Sequence, residues 1–419
     1  MKWENAIEHV AISDVGLRRA NNQDSYADMA TSSAEYWRSR GHLFVVADGM
    51  GAHAAGELAS QMAAEAVPHL YSKLTDTPPP LAIVKAVKDA NRQIYQRGKA
   101  NAEFEGMGTT CSILLLLPQG AMVAQVGDSR VYRLRGQQLD QLSFDHSLVW
   151  ELEARGALPE QSEFVPKNII TRSLGPSPEV QVDLEGPFPI EVGDVYLVCS
   201  DGLSGQVEDE ELGAILHLLE PQEAAQTLVD IANLRGGPDN ITLIIAKVGG
   251  PPINPQVYSD TSFDIPGESS PIPLGGWAAL GGLALATGLL LVLGKWLFAL
   301  VGVVSLLGTA GFVFRQQLFG SSGDKMVISG GLYGRGPYRH YPVKIDQSFV
   351  DKLLKLSSEL KDAAEAEKWT IDWAEFQQYH TQAEAAIKQS DFHTASREYC
   401  RSISFMMRQA RLQRQESDD

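Results

Sequence analysis

Paired cysteines are missing from this 419-residue sequence, whose three cysteines, Cys111, Cys199 and Cys400, stand far apart and outside any two-cysteine motif. A disulfide framework is therefore not expected, and the pattern is that of a chain kept in a reducing compartment. A basic surplus is missing too. Asp and Glu number 52 against 35 Lys and Arg, a net charge of -17, so no nucleic-acid-binding surface is expected. The opening residues, MKWENAIEHVAISD, place no apolar core behind a cationic head, so no secretory signal is expected from them. The length suggests two or three units, with ample chain for a sizeable core.

Composition divides the chain. Residues 1–249 mix strand-like runs with amphipathic helical ones. The stretch 250–273, rich in Pro, Ser and Gly and poor in periodic apolar positions, reads as an exposed linker. Residues 274–319 contain a run from Trp277 to Phe314 that is apolar apart from Lys295 and small hydroxyls. One helix over that run would be about 57 Å long, against a hydrocarbon core of about 30 Å. A hairpin of two spans turning at Gly294-Lys295-Trp296 fits better, with Lys295 and Trp296 at an interface. A single tilted span and a buried helical pair are the alternatives, the latter disfavoured because neither half has a polar face. Positive residues after the second span, Arg315, Lys325, Arg335 and Arg339, place that end in the cytosol, and a hairpin would put the N-terminal part there as well. Residues 320–345 form a Gly/Tyr/Arg-rich connector without regular pattern. In 346–419 three helical periods follow: Phe349, Leu353, Leu356, Leu360; then Trp373, Phe376, His380, Ala383, Ile387; then Phe392, Ala395, Tyr399, Ser402, Met406. Asp391 is the expected N-cap of the third. A small all-α bundle is expected, an interaction module that binds another protein, with His380 in its packing and not a ligand.

Within the first part, carboxylates recur at the ends of apolar runs. Leu43–Ala47 leads into Asp48-Gly49, Val123–Val126 into Gly127-Asp128, and Val195–Ser200 into Asp201-Gly202. Asp239-Asn240 stands just before Ile241–Ile245. Singly, each reads as turn chemistry. If the strand ends converge, the carboxylates repel unless cations neutralise them. Oxygen-only donors without a Cys/His cluster point to Mg2+ or Mn2+ rather than zinc. Two such ions about 3.5–4 Å apart, bridged by a carboxylate and a water, make a hydrolytic centre. Arg18 and Arg19, followed by Asp24, offer a guanidinium fork suited to phosphate oxygens.

Eight blocks in order, SDVGLRRANNQDSY, FVVADGMGAHAAGELAS, MGTTCSILLL, AQVGDSRVYRLR, SFDHSLV, IITRSLG, LVCSDGLSG and GGPDNITLII, resemble the bacterial branch of the metal-dependent type 2C (PPM) Ser/Thr protein phosphatases. The resemblance covers about residues 5–248. It implies an α+β fold, an α-β-β-α sandwich, here followed by the transmembrane helical hairpin and the C-terminal bundle. Strands are read near 7–12, 42–47, 109–117, 121–126, 195–199 and 241–248, and helices near 56–74, 81–98, 208–219 and 222–233.

Carried over by resemblance, Asp48 would bridge two Mn2+ or Mg2+ ions and the Gly49 carbonyl would bind one of them. Asp201 and Asp239 would complete the other, Asp24 would act through bound water, and Asp128 would help hold a third, looser ion. Arg19 matches the phosphate-binding arginine, and His53 the histidine proposed to protonate the departing alkoxide. His146 matches a position that orients a loop. Two residues depart from the family pattern: Gln23 stands where Glu is usual, and Ala52 where Gly is usual. The function implied is hydrolysis of phosphoserine and phosphothreonine on proteins by a metal-bound hydroxide, opposing a Ser/Thr kinase, at the cytosolic face of the cytoplasmic membrane. A catalytically weak membrane sensor or scaffold that binds phosphoproteins is the alternative.

Overall fold

A computed structural model describes residues 7–51, 54–154, 169–250, 293, 333–334 and 338–418. Its strands in chain order are β1 (Ile7–Asp14), β2 (Asp24–Met29), β3 (His42–Met50), β4 (Gly108–Thr109), β5 (Cys111–Leu117), β6 (Gly120–Val126), β7 (Arg130–Arg135), β8 (Gln138–Gln141), β9 (Asp183–Phe188), β10 (Val195–Cys199), β11 (Ile241–Val248) and β12 (Arg339–Pro342). The helices are α1 (Ala34–Arg40), α2 (Ala55–Lys73), α3 (Pro79–Ala100), α4 (Leu148–Ala154), α5 (Asp201–Ser204), α6 (Asp209–Leu218), α7 (Pro221–Leu234), α8 (Gln347–Ala366), α9 (Trp373–Lys388) and α10 (Phe392–Asp418).

The strands form two antiparallel sheets. One runs β1-β11-β10-β7-β8-β12, the other β2-β3-β5-β6-β9 with β4 beside β3. Alternation along each strand explains the layering, because successive side chains face opposite ways. In β10, Tyr196 and Val198 point into the core between the sheets with Phe44, Val46, Leu114 and Ile244. Val195, Leu197 and Cys199 point the other way, into a core shared with Leu212, Ile215 and Leu228 of α6 and α7. Helices α2 and α3 pack on each other, and α2 covers β2, β3 and β4. Helix starts follow local chemistry: Glu208 and Glu211 close a capping box on α6, and Pro221 opens α7 where no N–H is needed.

The strand expected over 109–117 is interrupted at Thr110. Its N–H donates to the Asp48 carbonyl (2.8 Å) while its hydroxyl accepts from the Asp48 N–H (2.8 Å). The strands β2, β7, β8 and β9 are additions to the sequence reading, being short and mixed in polarity.

The connector read as irregular contains β12, which pairs Arg339 with Gln141 and Tyr341 with Leu139 on β8. Backbone pairing to a sheet edge requires no apolar period, and Pro342 is tolerated because β12 is itself an edge strand. Three helices do follow. Asp391 caps the third through the Thr394 N–H (3.0 Å). His380 lies in the packing, 2.9 Å from Ser357 Oγ and 4.3 Å from the Phe376 ring.

Those helices have a small core of their own around Leu360, Phe376, Phe405 and Met406. They also join the main core through Phe349, Leu353, Tyr399 and Ile403. Residues Met1–Gln256 and Leu332–Asp419 accordingly form one compact unit. The other unit, Val257–Gly331, contains Leu293 alone among the described residues, so the membrane hairpin expected over 274–319 lies outside them. Among the described residues no helix is long and apolar enough to cross a membrane.

Polar contacts seal the seam between α7 and α10. Arg411 Nη1 lies 2.5 Å from Asp230 Oδ1, and the Asp230 side chain is fully buried. Arg401 pairs with Glu223 (2.9 Å), and Thr227 with Ser404 (3.0 Å). Burial pushes the Asp230 carboxyl up, with Arg411 opposing, so the arginine is what allows a charge there. Arg411→Ala is expected to destabilise the full chain by about 2 kcal/mol, read as a lower urea midpoint, with Asp230→Asn in the same chain recovering part of the loss.

Candidate active site

Asp24 opens β2 and sits directly opposite Asp48 on β3. Ser200, which ends the β10 segment, donates its hydroxyl to Asp24 Oδ2 (2.7 Å) and accepts from the Thr242 N–H at the start of β11 (3.0 Å). That pair of bonds brings the next residue, Asp201, close enough to the carboxyl of Asp48 for their charges to act on each other. Asp239 holds the Arg19 guanidinium, Nη2 to Oδ2 2.7 Å, and Arg19 Nε also donates to the Pro238 carbonyl (3.3 Å). Four segments distant in sequence thus deliver Asp24, Asp48, Asp201, Asp239 and Arg19 to one place. Arg18 instead lies over Gly236.

Close backbone approach makes the convergence possible. A Cβ on Gly49 would meet the Gly56 carbonyl oxygen at 2.1 Å, and one on Gly202 would meet the Asn240 carbonyl oxygen at 1.9 Å. A Cβ on Gly56 would crowd the Gly49 carbonyl oxygen at 2.9 Å, so glycine there lets α2 approach β3.

Asp128 follows Gly127, whose φ of +105° suits glycine. This turn is held from behind by His146. Its Nδ1 accepts from the Gly127 N–H (3.0 Å), and its own N–H donates to the Gly127 carbonyl (2.9 Å). The Nε2 atom then carries the ring proton toward Asp183 (3.0 Å). The loop-orienting role read for His146 matches this geometry. His53 lies outside the described residues.

The electrostatics are those of like charges forced together. Burial, followed by Asp24, Asp201, Asp128 and Asp239, raises Asp48 well above the usual carboxylate range. Burial raises Asp24 to about 7 against the hydrogen bonds of Ser200 and Thr242, and raises Asp128 to about 7 with help from Asp201 and Asp145. Asp201 is raised by burial and then by Asp239. Buried oxygens of Asp128 and Asp201 (Oδ1 in each) have no hydrogen-bond partner. A divalent cation is what such a donor set suits. Among the described residues no three His, Cys, Asp or Glu side chains close into a cage by themselves.

A family sequence model described as protein phosphatase 2C matches residues 18–231. The chain belongs to the protein phosphatase 2C family. It is similar to protein phosphatase PhpP of Streptococcus pneumoniae, 38% identical over 248 residues, covering 57% of this chain and 96% of that protein. It is also similar to the serine/threonine protein phosphatase PstP of Mycobacterium tuberculosis, 37% identical over 248 residues, covering 58% of this chain and 45% of PstP. The crystal structure of the PstP catalytic domain in complex with two manganese ions aligns with a TM-score of 0.50 at 35% identity, covering 58% of this chain and 99% of that one.

Sequence reasoning missed the residues that brace this 2C phosphatase site. Asn240 donates to the carbonyls of Val15 (2.9 Å) and Asn21 (3.0 Å), and accepts from the Gln23 N–H (2.8 Å). Ser60 Oγ donates to the Gln23 carbonyl (2.6 Å). Gln23, the departure from the family pattern, thus serves the fold through its backbone as well. Asn240 and Ser200 each adjoin a carboxylate in the quoted blocks, and that adjacency was the available signal.

The raised carboxyls make a signed prediction. In EDTA, folded Asp24 and Asp128 keep their protons up to pH about 7, whereas the unfolded chain loses them near the ordinary value of about 4. Their stabilising contribution is complete at low pH and lost as pH rises through about 7. The unfolding temperature in EDTA is therefore expected to fall between pH 5 and 8 (~3 units), with Mn2+ restoring more of it at the higher pH. Calorimetric scans across that range check both signs.

Proposed function

We propose that this chain removes phosphate from phosphoserine and phosphothreonine on proteins, with Mn2+ or Mg2+ as cofactor. The observation that carries the reading is the desolvated cluster of Asp24, Asp48, Asp128 and Asp201, with the part-exposed Asp239 at its edge beside an arginine that keeps 45% of its side-chain surface exposed. The names of PhpP and PstP as protein phosphatases support it, as does the two-manganese PstP structure. Asp48, the Gly49 carbonyl, Asp201 and Asp239 would hold two ions, Asp24 would act through water, and Asp128 would hold a third more loosely. Bound ions supply an acidified water for attack on phosphorus and positive charge for the phosphoryl oxygens.

Arg19 is anchored by Asp239 and the Pro238 carbonyl, so its planar fork is pre-set before phosphate arrives. It orients the phosphoryl group and offsets its charge. His53 is assigned the proton donor for the departing alkoxide, on resemblance. The reading as a weak sensor or scaffold has Gln23 as its support, and the intact carboxylate cluster argues against it. Asp48→Asn or Asp201→Asn is expected to lower Mn2+-dependent phosphate release from a phosphothreonine peptide by about 100-fold or more. Unchanged turnover would refute the assignment.

The proposal extends to membrane attachment through residues 274–319, supported by their apolar composition. Residues on both sides of that segment fold into one unit. Any membrane it enters must therefore be left on the side of entry, which supports an even number of spans over a single tilted one. The full chain is expected to remain in carbonate-washed membranes, and a chain lacking 274–319 to appear in the soluble fraction.

A further inference from the structure

Arg130 lies two residues beyond Asp128 and is held, partly buried, between two carboxylates. Its Nε donates to Asp145 Oδ2 at 2.8 Å, and its Nη1 stands 3.6 Å from Asp209 Oδ1. Tyr132 joins Arg130 (3.1 Å) to Asp209 (2.6 Å), and Gln141 donates to the other oxygen of Asp145 (2.7 Å). Asp145 is buried and Asp209 partly exposed, so one guanidinium between the two carboxylates leaves a negative charge that is costly to hold where water is largely excluded.

The rest of the network comes from a part of the chain that the family resemblance does not reach. In β12, Arg339 stacks 3.6 Å above the Trp150 ring and donates to Glu153 (2.5 Å). Its positive charge also acts on Asp145. Two residues on, and hence on the same face of the strand, Tyr341 faces Asp209, whose carboxylate joins burial in pushing the phenol up to about 12. Trp150 and Glu153 belong to α4, which begins two residues after His146, the side chain that holds the Gly127 backbone. Arg130, which follows the Gly127-Asp128 turn in the chain, and His146, which holds its backbone, are thereby both connected to β12.

We propose that β12 is a positioning element of the phosphatase site, in which Arg339 and Tyr341 complete the buried network that fixes the Gly127-Asp128 turn. It follows that residues 1–250 lack two members of the network and that the C-terminal part of the chain tunes ion binding at Asp128. This rests on the phosphatase reading for its catalytic consequence but not for its binding consequence.

The test uses the full chain and three variants, Tyr341→Phe, Arg339→Ala and Arg339→Lys, with Arg401→Ala as a control on the α7–α10 seam. Mn2+ binding is followed by titration calorimetry, and kcat and KM are measured on a phosphothreonine peptide. Tyr341→Phe and Arg339→Ala are expected to weaken the lowest-affinity Mn2+ step and lower kcat by about tenfold, with KM little changed. Arg339→Lys, which keeps the charge but not the planar stack, should fall between Arg339→Ala and the unaltered chain. Arg401→Ala should match the unaltered chain in both readouts. Tyr341→Phe removes a single oxygen, so it decides the matter if Arg339→Ala fails to fold. Mn2+ isotherms and kcat equal to the unaltered chain in Tyr341→Phe, and in Arg339→Ala where it folds, would overturn the proposal. An unaltered chain that binds Mn2+ but releases no phosphate would refute the phosphatase reading, and the Mn2+ isotherms of the variants would then decide the role of β12.

Discussion

Mutual repulsion among buried carboxylates is the constraint on which this structure turns. Left to themselves, Asp24, Asp48, Asp128 and Asp201 would move apart or stay protonated. The fold forbids the first by fixing each to a different strand end and bracing the ends against one another. Ser200 connects β10 to β2 and β11, Asn240 holds the β1–β2 loop at three points, and His146 holds the Gly127 turn. Glycines at 49, 56 and 202 let backbones approach closer than any side chain would permit. The result is a strained polar centre inside a well-packed scaffold, the usual arrangement where function opposes stability.

How much of this was legible in the sequence depends on which physical signal each residue leaves. The strands β3, β5, β6, β10 and β11 are buried on both faces, so each reads as an unbroken apolar run. The strand β2, DSYADM, is part-exposed, and β8, QLDQ, has four residues; neither offers a run to find. The carboxylates stood out because they end apolar strands. Asn240 and Ser200 did not, because their work is hydrogen bonding to segments far away in the chain, and a pattern of polarity carries no trace of that.

The C-terminal helices show the same division. Their 3.6-residue periods disclosed that each has a face to bury, and all three are present. The period says nothing about the surface on which that face rests. Here part of it rests on α6 and α7, and the polar seam between Asp230 and Arg411 joins two parts of the sequence that composition separates. A Gly/Tyr-rich connector gave no hint of β12, whose pairing runs through backbone groups that every residue possesses.

That strand has a consequence for the order in which the protein is made. The edge of the first sheet at β8 is covered by residues that leave the ribosome long after β8 itself. Synthesis from residue 251 to 418 takes on the order of ten to thirty seconds. Through that interval the nascent phosphatase domain exposes an unpaired strand edge and the apolar backs of α6 and α7, the features that invite misassociation. Completion of the site therefore waits until β12 and the helices after it have emerged, and a chain stalled after its family-like portion would be structurally unfinished.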